Sequence, residues 1–211
     1  MQLDDLPFSR ACENNKQYIL SAITPWIASH NSVIEIGSGT GQHATYFSHH
    51  LPHIQWQPTD VYSNLDGLRL RVNAFQQQCP NLSIPVELDV ATQWPAICLQ
   101  SECIFTANTL HIISKSLVSQ FFQGIGTWLQ HRNVNPTHDI TALIIYGPFN
   151  YQGQYTSESN RQFDQWLRTR DSQSGIRSIE WICELAQSQG LKLNQDIAMP
   201  ANNRLLQFTQ L

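Results

Sequence analysis

The residues best placed to do chemistry begin where the apolar run Val33-Ile34-Glu35-Ile36 opens into Gly37-Ser38-Gly39-Thr40-Gly41-Gln42-His43-Ala44. Glycine has no Cβ and takes positive φ without steric penalty. A glycine turn therefore lets the backbone, and the amides that start the next helix, approach a polar or anionic group closely. The spacing is Gly-x-Gly-x-Gly. A dinucleotide fingerprint would place its third glycine where Gln42 stands, which weakens a pyrophosphate reading. Asp60 follows about 20 residues after the turn, the spacing at which one acid can accept both hydroxyls of a ribose. The alternative for Asp60 is a helix N-cap or turn residue.

The elements that must position these residues follow from the alternation of short β-rich runs with helical patterns, the signature of a parallel sheet covered by helices. Strands are expected at Ser32–Ile36, His53–Thr59, Ser83–Leu88, Cys103–Ala107, Thr141–Tyr146, Leu191–Met199 and Leu205–Thr209. Helices are expected at Asn14–Ser29, Gln42–His50, Leu65–Gln78, Ser116–Gln130, Ser159–Arg170 and Ser178–Gln189, with only a partial turn around Ala91–Gln100 because of Pro95. Residues 131–138 read as a polar surface loop. The last two strands are separated by little more than Pro200-Ala201-Asn202-Asn203. That is too short for a helical crossover, so they should form an antiparallel hairpin. The expected class is α/β: a doubly wound, seven-stranded, mostly parallel, Rossmann-like sheet, read as a single domain over 1–211 with an N-terminal helical lid over about 1–30.

In such sheets ligands bind beyond the carboxyl ends of the strands. Glu35 with the glycine turn, Asp60, Asp89-Val90 and Asn108-Thr109-Leu110-His111 occupy those ends. The motif around Gly37 is similar to motif I of class I methyltransferases, which bind S-adenosylmethionine (SAM). The ordered segments Ser38–Ala44, Ala107–Ile112, Tyr146–Asn150, Thr156–Asn160, Gly175–Arg177 and Met199–Asn203 extend the likeness over nearly the whole chain. Together they resemble a small methyltransferase-like family carried under a domain-of-unknown-function label. The resemblance implies a SAM site made by Glu35, Gly37, Ser38, Gly39, Thr40, Gly41, His43, Asp60, Asp89, Val90 and Asn108. In it, Asp89 accepts from the adenine amino group, Val90 packs on the ring, and Asn108 lies near the methyl donor. Where that family has Arg-Asn-Lys near the N-terminus this chain has Asn14-Asn15-Lys16, which leaves Arg10 as the stand-in for the missing arginine.

For the acceptor, His111 and Tyr146 are the expected catalytic pair, and Phe149, Asn150, Asn15 and Lys16 the expected substrate contacts. An imidazole with an ordinary pKa near 6.5 can take a proton at neutral pH. Each has a plainer reading: hydrogen-bonded or packed core residues for His111, Tyr146 and Phe149, and helix capping for Thr156–Ser159.

Composition narrows the partners. Of 211 residues, 41% are hydrophobic and only 13% charged, with net charge -4, a pI near 6.0 and no basic cluster. Nucleic acid is therefore not the expected substrate. No apolar stretch approaches the roughly 18–20 residues of a membrane helix. The acidic start Met1–Asp5 is not a signal peptide, so the expected location is cytoplasmic. The five cysteines never form Cys-x-x-Cys, and His49, His50 and His53 lack a completing carboxylate or thiol, so no metal is expected. The expected activity is SAM-dependent methylation of a small molecule. The alternatives are a non-catalytic SAM-binding module acting through a protein partner, and, less favoured, a nicotinamide oxidoreductase.

Overall fold

The computed structural model describes residues 6–131 and 140–211. Apart from His131, the expected loop over 131–138 lies outside them, as do residues 1–5. Helix α1 is Arg10–Ile27. It starts where the Ser9 hydroxyl accepts the Cys12 amide, and its Ile19, Ile23 and Ile27 recur every four residues to make the buried stripe. Then follow β1 (Ser32–Ile36), α2 (Gln42–His50), β2 (Gln55–Asp60), α3 (Tyr62–Phe75), β3 (Val86–Glu87), β4 (Cys103–Ala107), α4 (Lys115–His131) and β5 (Thr141–Gly147). The chain continues through β6 (Phe149–Asn150), α5 (Glu158–Arg170), β7 (Arg177–Ser178), α6 (Ile179–Ser188), β8 (Leu191–Met199) and β9 (Asn203–Gln210).

The main sheet has seven strands in the order β3-β2-β1-β4-β5-β9-β8. Its first five strands are parallel, while β9 runs antiparallel to both β5 and β8. The hairpin expected at the end of the chain is present, turning through Ala201 and Asn202, both left-handed at φ 58° and 57°. Both faces are covered. On one, Ile19, Ile23, Phe47, Leu65 and Leu68 pack against Trp56 and Phe105. On the other, Val118, Phe121, Phe122, Trp128 and Ile182 pack against Ile104, Leu143 and Leu206.

Three differences from the expected elements have local causes. The third strand shrinks to Val86–Glu87 because it lies at the sheet edge and Pro85 has no N–H to donate. The first helix starts four residues earlier than expected, at its Ser9 cap. The two-stranded parallel sheet β6-β7 pairs residues 28 positions apart (Phe149 with Arg177, Asn150 with Ser178), and two-residue strands leave no periodicity to read.

Candidate functional site

β1 ends at Ile36, and the chain then reverses through Gly37, Gly39 and Gly41 at φ 76°, 54° and 74°. Gly37 is required twice over, because a Cβ there would also lie 2.7 Å from the Thr109 hydroxyl. A Cβ on Gly39 would meet nothing within 4 Å, so this part of the turn faces open space. The turn is tied to β2: the amides of Gly37 and Ser38 donate to the Thr59 carbonyl at 3.1 and 2.9 Å. It is also strapped to the N-terminal segment. Arg71 Nε donates to the Thr40 carbonyl and its other arm to the Pro7 carbonyl, both at 2.6 Å, while Gln42 Oε1 accepts from the Ser9 amide at 2.5 Å.

The resulting cleft, about 460 Å³, lies beyond the carboxyl ends of β1, β2, β3 and β4, within the roughly 300–1,000 Å³ of small-molecule sites. Of the residues assigned to the cofactor from sequence, Gly37, Ser38, Gly39, Thr40, His43, Asp60, Asp89, Val90 and Asn108 line it. Asp60 Oδ2 accepts the Gly39 amide at 2.6 Å, and Oδ1 accepts the Val61 amide and the Asn64 side chain, each at 2.8 Å. Asp89 Oδ1 accepts the Ala91 amide at 2.9 Å. Asn108 holds a left-handed φ of 59°, a strained state for a non-glycine residue and one that tends to occur at functional sites.

Glu35 and Gly41 do not line the cleft. Glu35 is 1% exposed and accepts the Trp56 indole N–H at 3.0 Å. Burial pushes its carboxyl up to about 8, against the hydrogen bonds from Trp56 and Ser38. Its carbonyl, which accepts the Thr59 and Ser38 hydroxyls, makes it a brace for the turn. Gly41 starts α2 and is packed against Leu68.

Of the residues expected around the acceptor, His111, Tyr146, Phe149 and Asn150 do not line this cleft. His111 is buried beside Gly147, with its ring 5.4 Å from that of Phe163, and burial holds its pKa down at about 4. Tyr146 turns its hydroxyl between Asn15 and Asn203. Phe149 packs in the core with Ile145 and Ile179, and Asn150 belongs to β6, paired with β7. Lys16 stands in a separate hollow of about 570 Å³ outside α1, 2.5 Å from Glu13 and 4.8 Å over the Tyr46 ring. That hollow is the larger, but it lies among α1, α2 and α3, away from the strand ends. Arg10 and Asn14 are exposed on α1.

Sequence reasoning missed Ser9, Cys12 and Asn64 as cleft residues, and placed Thr109 at a strand end without giving it a role. Asn64 had a signal, lying one helical turn after Asp60. Ser9 and Cys12 arrive through the tertiary docking of α1 and had none. Among the described residues no helix is long and apolar enough to cross a membrane.

A seven-stranded sheet with this order, a glycine turn after its first strand and reversed strands at its end is the class I methyltransferase fold. Residues 6–210 match the family described as "Protein of unknown function (DUF938)", and the chain belongs to that family. Among solved structures it is similar to the mitomycin 7-O-methyltransferase MmcR, at 13% identity and a TM-score of 0.76, over 95% of this chain and 54% of that one. It is also similar to human N-acetylserotonin methyltransferase in complex with SAM, at 14% identity and TM-score 0.73, over 95% and 52% of the two chains. A third likeness is to the O-methyltransferase NcsB1 from neocarzinostatin biosynthesis, in complex with SAM and 2-hydroxy-5-methyl naphthoic acid (13%, TM-score 0.64, 94% and 57%). The chain thus spans about half the length of the structures it resembles.

Proposed function

We propose that this protein binds SAM and transfers its methyl group to a small-molecule acceptor. The observation that carries the reading is the charge of the cleft. Its charged lining residues are Asp60 and Asp89, with no lysine or arginine among the described lining residues. Arg71 lies behind the turn with its nitrogens committed to backbone carbonyls. A dinucleotide pyrophosphate would find no cation in this lining, whereas a sulfonium compound meets no charge that opposes its own. SAM supplies an electrophilic methyl group when bound. The chain's part is to hold donor and acceptor in line, which by itself can supply much of the acceleration.

In this reading Asp60 accepts from the ribose, Asp89 from the adenine amino group with Val90 on the ring, and Gly37 to Thr40 flank the methionine end. Asn108 lies near the reacting centre. The O-methyltransferase neighbours support the same reaction class. Titration calorimetry tests it: SAM and S-adenosylhomocysteine should bind, and neither NAD nor NADP should compete. Tighter binding of NAD than of SAM would overturn the reading. Gel shifts with RNA at physiological salt should show no complex.

A further inference from the structure

Behind the glycine turn lies a second space, the hollow of about 570 Å³ in which Lys16 stands. Glu13 and Lys16 are one turn apart on α1, Tyr46 and His49 on α2, and Arg71 and Phe75 on α3, spacings that put each pair on one helix face. No residue lines both this hollow and the cleft, although the same segments wall them. Ser9 and Cys12 face the cleft, while Phe8 and Glu13 face the hollow. The two spaces have opposite charge. The cleft has Asp60 and Asp89, whereas the hollow sets Lys16 and Arg71 against a single carboxylate. That carboxylate, Glu13, is already engaged by Lys16 at 2.5 Å and by Gln42 Nε2 at 3.2 Å. Arg71, only 8% exposed, spends Nε and Nη2 on the Thr40 and Pro7 carbonyls. Both partners are neutral, and among the described residues no carboxylate forms an ion pair with it. Buried charges are normally paired, so the hollow is short of an anion. It also offers aromatic surface, with Tyr46 and Phe75 in its wall and Phe8, 64% exposed, beside them.

We propose that this hollow is a second ligand site, for a small anion carried on an aromatic body: an aryl carboxylate or aryl phosphate. The anion pairs with Arg71 and Lys16, and the ring lies among Phe8, Tyr46 and Phe75. Its occupant is an effector rather than a methyl acceptor, because the strapped turn separates the two spaces. Ser9 and Thr40 stand on the cleft side of that turn, Phe8 and Gln42 on the other, joined by the hydrogen bonds of Gln42 Oε1 with the Ser9 amide and the Thr40 hydroxyl. Coupling follows from the same contacts. Arg71 ties the turn to the N-terminal strap, so an anion that fixes the guanidinium steadies the wall on which the donor also rests. Effector and SAM should then strengthen each other's binding by the same factor. The site stands on its own charges, and the coupling rests on the methyltransferase reading.

Titration calorimetry on the full chain tests both parts. 3-Phenylpropionate or phenyl phosphate should bind with a Kd below about 1 mM, whereas 3-phenylpropanamide and 3-phenylpropylamine should not. With S-adenosylhomocysteine saturating the cleft, the anion should bind about 5-fold more tightly. Arg71→Gln should abolish anion binding. His49→Glu, at an exposed position, places a carboxylate in the lining and should weaken the anion about 10-fold; circular dichroism checks that each variant folds. The site is overturned if neither anion binds, if the amide or the amine binds equally well, or if His49→Glu leaves anion affinity unchanged. Anion affinity that S-adenosylhomocysteine leaves unchanged or lowers would overturn the coupling. Failure to bind S-adenosylhomocysteine would fall on the methyltransferase reading and remove the coupling with it, while the anion titration still decides the site.

Discussion

At the ends of β1, β2, β3 and β4, polar residues stand around open space: Asp60, Asp89, Asn108 and His43 line one cleft, each presented by a strand end, a turn or a helix start. At the far end of the same sheet, beyond β5, the residue types are similar and their partners are different. Asn160 donates to the Thr156 hydroxyl at 2.8 Å and to the Asn202 carbonyl at 3.0 Å, clamping the β8–β9 turn onto the start of α5. Asp164, almost fully buried, accepts from Tyr155, Arg168 and the Ile176 amide. Arg177, 3% exposed, donates to the carbonyls of Leu110, Ile113 and Gln173. The Ser174 hydroxyl and the Gly175 amide hold Ile112 and His111 in the same way. The segment from β6 to β7 thus grips the backbone of residues 110–113, of which Ile112 and Ile113 wall the cleft. One rim leaves polar capacity facing a cavity; the other closes it on backbone. Residue type does not separate ligand site from brace, whereas free hydrogen-bonding capacity beside open volume does.

The largest effect should come from the bracing rim. Arg177→Met leaves three carbonyls without their donor in a buried setting, and should destabilise by about 3–5 kcal/mol. Urea denaturation reads this. A loss below about 1 kcal/mol would mean that the brace is not structural and would erase the contrast between the rims.

Next comes Asp60→Ala on the cleft rim. It removes charged hydrogen bonds of about 1.5–3 kcal/mol and should weaken SAM binding by about 10–100-fold. Calorimetry showing unchanged affinity would remove Asp60 from the ribose.

The two rims should also separate by pH. Glu35 under the glycine turn is raised from 4.5 to about 8 by burial. The unfolded chain gives up that proton across the window while the folded one keeps it, so stability falls as pH rises from 4.5 to 8. His111 under the brace is lowered from 6.5 to about 4, chiefly by burial and then by Arg177. Here the unfolded chain takes up a proton that the folded one refuses, so stability falls as pH drops from 6.5 to 4. His43 adds to that acid limb in the same sense. Glu35→Gln should flatten only the alkaline limb, and His111→Phe should reduce the acid limb without abolishing it. Thermal unfolding across pH 4–8 measures both, and a variant that flattened the opposite limb would refute its assignment.

How much of this was legible in the sequence follows the same divide. The glycine turn, Asp60 and Asp89 could be read because strand, turn and helix start are consecutive, so local pattern fixes geometry. His111, Tyr146, Phe149 and Asn150 were expected at the cleft because they end strands or follow them. Their side-chain directions depend on α1, α5 and β7, elements distant in sequence. Asn15 was expected to touch the acceptor; it instead meets His43, 28 positions away, a pairing that exists only once α1 docks on α2.

The finest prediction compares one glycine from each setting. Gly39 and Gly153 have φ of 54° and 74°, and a Cβ on either would meet nothing within 4 Å. Alanine at each is strained by backbone conformation alone, so both variants should lose about 1 kcal/mol of stability. Their ligand behaviour should diverge. Gly39 lines the cleft, and its new methyl would project into the space proposed for the donor. Gly153 sits in the turn closed by the Tyr151–Gln154 bridge and does not line the cleft. Gly39→Ala should therefore weaken SAM binding severalfold beyond its stability loss, with Gly153→Ala leaving affinity unchanged. Equal affinities in the two variants would show that the open space above Gly39 is not where the donor lies, and would move the cofactor away from the turn that first marked this chain.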